Sequence, residues 1–104
     1  ALLNRVQGDQ ELTTLVLQGF LEDIPRQIVA LRKYLETGDV AGAERQAHTI
    51  KGASANVGAE ALCILCGDLE SAGNAGKLDI IQARLNELDA AFETLRHAMQ
   101  GDMP

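Results

Sequence analysis

Apolar residues recur every three or four positions along most of the chain, and this spacing limits the fold more than any other feature. The first long set has seven members: Leu12, Val16, Phe20, Ile24, Ile28, Leu31 and Leu35. At 100° per residue, these side chains stay on one side of a helix. Pro25 removes one backbone hydrogen bond and favours a kink, but the apolar pattern continues through it. The spacing therefore predicts one long, kinked helix.

Glycine-containing turns predict where the other helices begin and end. Thr37-Gly38 ends the long helix, and Asp39 is suited to cap the next one, which runs to about Val57 with Gly58 just beyond its end. Its apolar side is small: Ala43, Ala47, Ile50, Ser54 and Val57. A third helix carries Leu62, Leu65, Cys66 and Leu69. A last helix, after the turn at residues 73–76, carries Ile81, Leu85, Leu88, Phe92, Leu95 and Met99.

Together these segments predict an all-α fold, an antiparallel up-down four-helix bundle. Leu2, Leu3 and Val6 suggest a short N-terminal lead-in helix ended by Gly8, with Asp9 as the following N-cap. A length of 104 residues suits a single domain spanning residues 1–104. Aromatic residues make up only 3% of the chain, which also favours helix over sheet.

The charge balance excludes several classes of partner. Nine basic residues against 15 acidic ones give a net charge of −6. Such a chain lacks the basic face that nucleic acids and anionic lipids attract. There is no apolar run long enough to span a membrane and no leader-like segment, and two cysteines do not form a disulfide scaffold. We expect a cytoplasmic domain without direct membrane or nucleic-acid contact.

His48 is the first candidate for chemistry. On a helical wheel it points away from the core direction set by Ala47 and Ile50. The residues that share its outward face are Ala41, Arg45, Gly52 and Ala55, three of which are very small. An imidazole on a flat surface of this kind is accessible to another protein.

Lys51 and Gly52 give His48 a distinctive setting. Lys51 lies one turn further along the helix, and its ammonium would neutralise an anion and repel a metal cation. Gly52 is unusual inside a helix, because glycine there lowers helix stability by about 1 kcal/mol relative to alanine. The expected benefit is access to the imidazole ring.

The segment from His48 to Gly58, HTIKGASANVG, resembles the signature of histidine-containing phosphotransfer (HPt) domains. That signature is a histidine, a lysine three residues on, a glycine four on and a glycine ten on. The resemblance covers roughly residues 12–99 and includes several further features: Phe20 and Pro25 in the preceding helix, Gly38-Asp39, Leu62, Leu69-Glu70 and the final long helix.

The resemblance implies a four-helix bundle that acts in two-component phosphorelays. His48 would accept a phosphoryl group from a receiver-domain aspartate and pass it to another receiver. Lys51 would screen the phosphate, Gly52 would leave space and Gly58 would shape the helix end, while Ala41, Arg45 and Ala55 would meet the partner. The expected partners are response-regulator receiver domains, which supply the Mg²⁺, and the isolated domain is expected to be monomeric with no cofactor of its own.

Whether the chain is part of an enzyme is left open by the sequence. There is no G-x-x-x-x-G-K-[ST] loop and no glycine-rich nucleotide box, so the domain should not phosphorylate itself from ATP. The chain starts at Ala1 rather than at a methionine, which favours a fragment of a hybrid sensor histidine kinase over a free-standing protein.

Other candidate sites have plainer interpretations. His97, near the end of the last helix, reads as a solvated side chain. The pair Cys63 and Cys66 lacks the strand before a helix that a thioredoxin-like motif needs, and it lacks the further ligands of a zinc site, so core packing is the better interpretation. We interpret several acidic residues as exposed side chains on solvated helix faces: Glu22, Asp23, Glu87 and Asp89. Neither Asp68 nor Glu70 pairs with an inward histidine as a di-metal bundle would require.

The alternative function is a helical adaptor or dimerisation domain in which His48 is not phosphorylated. That interpretation needs an exposed apolar stripe in addition to the core set. Ile64 and Ile80 lie off the core phase and could contribute to such a stripe or cover the lead-in helix.

Overall fold

The computed structural model describes residues 10–102, and all regular secondary structure within that range is helical. Five helices follow one another: α1 (Gln10–Thr37), α2 (Val40–Asn56), α3 (Glu60–Asn74), α4 (Leu78–Ala83) and α5 (Leu85–Asp102). The predicted all-α class is confirmed. The lead-in helix expected around Leu2, Leu3 and Val6, and the cap expected at Asp9, lie outside the described residues.

Helix α1 runs without a break through Pro25 for 28 residues. Pro25 lies on the exposed side of the helix, whereas Ile24 and Ile28 are buried. The proline ring therefore replaces a backbone donor on the solvent side, and the apolar side stays continuous. The prediction of one long helix rather than two is confirmed.

The start of the α1 apolar stripe was predicted wrongly. Leu12 and Val16 are 45% and 36% exposed. Phe20 is buried as predicted, but the residues buried beside it are Leu17 and Leu21. Helices α2 and α3 have only 17 and 15 residues against the 28 of α1. Because α2 starts at the turn after Thr37 and is so much shorter, it ends before it can cover the first turns of α1.

The turns on either side of α2 form as expected. Gly38 has a φ of +70°, and the Asp39 side chain accepts a hydrogen bond of 2.8 Å from the Gly42 N–H. At the other end, Val57 caps the helix and Gly58 has a φ of +74°. Glycine is favoured at both left-handed positions because it has no Cβ.

Helices α2 and α3 form the most extensive helix pair among the described residues. Three small residues of α2, which take up little space between packed helices, are completely buried: Ala43, Ala47 and Ser54. The Ser54 hydroxyl donates to the Ile50 carbonyl oxygen at 2.7 Å, so its burial leaves no polar atom unpaired. On the α3 side, a Cβ on Gly73 would lie 3.0 Å from the Cα of Glu44.

The predicted last helix is divided into α4 and α5 by Arg84, which has φ −105° and ψ 5°. Its N–H bonds back to the Ile81 carbonyl at 3.0 Å, a tighter turn than an α-helix makes, and its carbonyl accepts from Leu88. Ile81 and Leu85 are buried on either side of the break. Apolar spacing is the same with or without this break, so the sequence pattern could not show it.

The core lies between the helices and is dominated by aliphatic side chains. Several large ones are fully buried: Ile24, Leu31, Ile50, Leu62, Leu69, Ile81 and Leu88. An ion pair between Arg32 and Asp89 links α1 to α5 at the surface. Within residues 10–102, the structure contains no helix that is long and apolar enough to cross a membrane.

The space around two glycines predicts opposite effects of alanine substitution on the free energy of unfolding. Gly73 lies in the close contact of α2 and α3, and Gly19 lies in open space on α1. Gly73→Ala should lower the free energy of unfolding by about 1–3 kcal/mol, because its Cβ meets the backbone of Glu44. Gly19→Ala, in open space on α1, should raise it by up to about 1 kcal/mol. Urea unfolding followed by circular dichroism measures both, and stabilisation by Gly73→Ala would contradict the packing described.

Candidate functional site

His48 lies near the middle of α2 on its outward face. Its side chain is 64% exposed, whereas its neighbours Ala47 and Ile50 are completely buried. The orientation expected from the helical wheel is therefore confirmed, because burial of the alanine and isoleucine turns the imidazole toward solvent.

Lys51 follows one turn later and leans toward α3. Its Nζ lies 2.6 Å from Oε1 of Glu70. The aliphatic part of the side chain passes close to Gly67, where a Cβ would lie 3.5 Å from the Lys51 Cδ. The lysine therefore bridges two helices and does not extend freely into solvent.

Glu70 of α3 contacts two candidate site residues of α2, His48 and Lys51, at once. Its Oε1 accepts from Lys51, and its Oε2 lies 2.7 Å from Nδ1 of His48. The hydrogen bond from Lys51 lowers the pKa of the Glu70 carboxyl, with His48 adding to the effect and desolvation opposing it. The same hydrogen bond raises the pKa of Lys51. Both groups therefore remain charged around neutral pH.

The contact with Glu70 determines which nitrogen of His48 carries the proton. An ionised carboxylate can only accept hydrogen bonds, so Nδ1 must donate. In the neutral ring, the lone pair then lies on Nε2. Among the residues that the structure describes, Nε2 has no hydrogen-bond partner. The arrangement leaves a nucleophilic nitrogen on a ring that belongs to a mostly exposed side chain.

The other predicted site residues surround His48 on α2. Ala41, Arg45, Gly52 and Ala55 are all exposed. A Cβ on Gly52 would meet no atom within 4 Å, so nothing inside the chain requires a glycine at this position. Gly58 lies apart from this face, at the helix end, where its positive φ explains its presence.

Glu70 is the site residue that sequence reasoning missed. It was considered as a possible metal ligand and not as a partner of an outward histidine. The contact pairs run in opposite directions along the two helices, with Glu44 near Gly73 and Lys51 near Gly67. In two antiparallel helices, residues at similar numbers of positions before and after the connecting turn lie opposite each other. Glu70 follows the α2–α3 turn by about as many residues as His48 precedes it, and this spacing could have predicted the contact.

The remaining candidates have structural roles. Burial raises the pKa of the Cys66 thiol to about 12, and Cys63 adds to the effect. Cys66 is therefore a protonated core residue, as predicted. Cys63 is only half-buried. Glu87 and Asp89 form surface ion pairs with Arg84 and Arg32. No cluster of three or more potential ligands within residues 10–102 is arranged to hold a metal ion.

Comparison with solved structures identifies a protein of the same fold. The crystal structure of histidine-containing phosphotransfer protein B (HptB) from Pseudomonas aeruginosa PAO1 matches this chain with a TM-score of 0.91. The match covers 98% of this chain and 89% of that chain at 24% sequence identity. At this identity the likeness shows a shared fold and nothing further.

Comparison of the sequence itself gives the family. No curated protein matches the sequence. The family model described as the Hpt domain matches residues 15–98, which is most of the chain and includes α2, α3 and every residue of the site. The chain therefore belongs to the Hpt domain family.

Proposed function

We propose that His48 accepts a phosphoryl group from the aspartate of a receiver domain and passes it to another receiver. Membership of the Hpt family gives the chain a phosphotransfer role in two-component signalling and receivers as partners. The observation that supports His48 as the acceptor is its Nδ1 contact with Glu70, which leaves Nε2 unprotonated on an exposed face.

The proposed transfer is a displacement at phosphorus. The Nε2 lone pair attacks the phosphorus of the receiver's aspartyl phosphate, and an N–P bond forms while the bond from phosphorus to the aspartate oxygen breaks. That oxygen leaves with the bonding electron pair as part of a carboxylate. The ring keeps its Nδ1 proton and becomes positively charged, and Glu70 stabilises this charge as the buried aspartate does in a catalytic triad. Transfer onward reverses these steps.

Lys51 is suited to screening the charge of the phosphoryl group. Its ammonium is held by Glu70 and lies one turn from the ring on the same helix. A positive charge beside developing phosphate charge lowers the energy of the transition state. The side chain is partly exposed, so the surrounding water and salt keep this effect modest.

The partner supplies the parts of the reaction that this chain lacks. We expect the Mg²⁺ on the receiver, and we expect a cytoplasmic, monomeric domain that does not bind nucleic acid. We also propose that the helices form an antiparallel four-helix arrangement, with α4 as a short extension before α5. The short connections, such as residues 38–39 between α1 and α2, support this topology.

A second candidate function rests on exposed apolar side chains. Several large ones face solvent: Leu12, Leu15, Val16, Val29, Val40, Ile64 and Ile80. A helical adaptor or dimerisation domain would use such residues and would not need His48. The two functions differ in one measurable respect, which is whether a phosphorylated receiver transfers its label to this chain.

The assignment of the acceptor predicts different outcomes for the two histidines. His97 is exposed on α5, outside the helix pair that forms the site. A receiver carrying radiolabelled aspartyl phosphate should label the wild type and His97→Gln equally and should not label His48→Gln. The label should be lost in acid and kept in base, as an N–P bond requires. Label on His48→Gln would place the acceptor elsewhere, and no label from any of several receivers would favour the adaptor.

The Glu70 contacts predict an order of effects at the site. Glu70→Gln should slow transfer about ten- to hundredfold, because an amide can donate to Nδ1 and so place the ring proton on Nε2. Lys51→Ala should slow it by about tenfold or less, since its charge is screened. Rapid-quench measurement of label transfer at saturating receiver gives both rates.

Arg84→Ala is the matched control for these two variants. Arg84 has a similarly exposed side chain and also forms an ion pair with α3, through Asp68, but it is not part of the site. All three variants should keep a nearly unchanged free energy of unfolding, because exposed pairs contribute little. A loss of stability in Lys51→Ala with normal transfer would show that the lysine is structural.

The empty surroundings of Gly52 predict an effect of side-chain size. Gly52→Gln should fold normally, since its Cβ meets nothing, but should transfer more slowly by about tenfold because the side chain obstructs the receiver. Gly19→Gln, at an equally open position on α1, is the control and should transfer at the wild-type rate. Equal rates for Gly52→Gln and the control would contradict the access role, and unfolding of Gly52→Gln would contradict its outward position.

A further inference from the structure

Ile64 on α3 is the most exposed large apolar residue in the described part of the chain, at 64%. Helical spacing places it one turn before Gly67 on the same face of α3. Gly67 in turn lies beside the side chain of Lys51, because a Cβ at this position would be 3.5 Å from the Lys51 Cδ. An apolar side chain that contributes nothing to the core is therefore next to the phosphotransfer site.

Packing within the chain does not require a glycine at position 67. Glycine is a weaker helix former than alanine. A Cβ here would meet only the Lys51 Cδ, at 3.5 Å, which is an ordinary contact that alanine would satisfy. Gly73, by contrast, is required by the backbone of Glu44. Gly67 and Gly52 thus lie on either side of Lys51, one on each helix, and packing requires neither.

A partner that covers His48 and Lys51 must also cover part of α3. His48 and Lys51 come from α2, but the carboxylate that holds them comes from α3. A partner whose active site closes over Nε2 of His48 and Lys51 must also cover the surface beside Lys51, which is Gly67. The next exposed side chain along that face of α3 is Ile64.

We propose that the receiver docks across α2 and α3. It would cover the surface beside Lys51, where Gly67 has no side chain, and it would make an apolar contact with Ile64. This inference rests on the proposed function and adds residues that set affinity for the partner. Continuity with His48 favours a receiver as the occupant. The net charge of −6 disfavours a second copy of this chain and an anionic lipid surface.

Ile64→Ser tests the apolar contact, with Val29→Ser as its matched control. Val29 is a β-branched residue that is 53% exposed in the groove between α1 and α5, away from the site. Serine has nearly the same helix propensity as isoleucine and valine, so both variants should fold. Initial rates of label transfer from a phosphorylated receiver, measured over a range of receiver concentrations, separate docking from chemistry.

Ile64→Ser should raise the KM for the receiver about tenfold, as loss of an interface contact does, and leave the saturating rate within about twofold. Val29→Ser should change neither. Gly67→Gln should raise the KM to a similar extent, with Gly19→Gln as its control at an open position on α1. The lifetime of the isolated phosphohistidine should be the same in wild type and Ile64→Ser, because Ile64 touches the partner and not the phosphate.

The outcomes distinguish this inference from the function on which it rests. A labelled wild type with an unchanged KM in Ile64→Ser and Gly67→Gln would overturn docking on α3 and leave the acceptor assignment intact. An equal rise in Val29→Ser or Gly19→Gln would also overturn it, since the effect would not be local. A wild type that accepts no label from any receiver would overturn both.

Discussion

The close packing of α2 against α3 is the constraint on which the site depends. Glutamate has a short side chain, and Glu70 reaches His48 and Lys51 only because the two helices lie close together. Small residues accompany that approach: Ala47 is completely buried on α2, and a Cβ on Gly73 of α3 would lie 3.0 Å from the Cα of Glu44. The alanine-rich composition and the chemistry of the site are therefore linked, since larger core side chains would draw the carboxylate away from the ring.

Features fixed by local sequence were predictable. The orientation of His48 follows from its neighbours, because burial of Ala47 and Ile50 leaves only one direction for the imidazole. The caps around α2 follow from residue types that suit them, with Asp39 accepting the backbone hydrogen bond and Gly58 adopting a positive φ. In each case the deciding interactions lie within a few residues along the chain.

Features that depend on distant parts of the chain were not predictable from periodicity. Leu12 belongs to the apolar stripe of α1 by spacing, but its exposure depends on where the shorter helix α2 ends. Arg84 interrupts the last helix without changing the phase of the buried residues on either side. Glu70 became a site residue only when α3 was placed beside α2, because its partners are more than a dozen residues away in sequence.

Glu70 would have two opposing effects on the phosphorylated state of the proposed relay, and this suits a reversible intermediate. Its carboxylate favours the phosphorylated ring, because it compensates the positive charge that remains when Nδ1 keeps its proton. It also occupies Lys51, so the ammonium is shared between a carboxylate and the incoming phosphate. A lysine free of Glu70 would bind the phosphoryl group more strongly and slow its release. Since the His48 side chain is mostly exposed, solvent would weaken both attractions, and the proposed phosphohistidine could then donate its phosphoryl group to the next receiver.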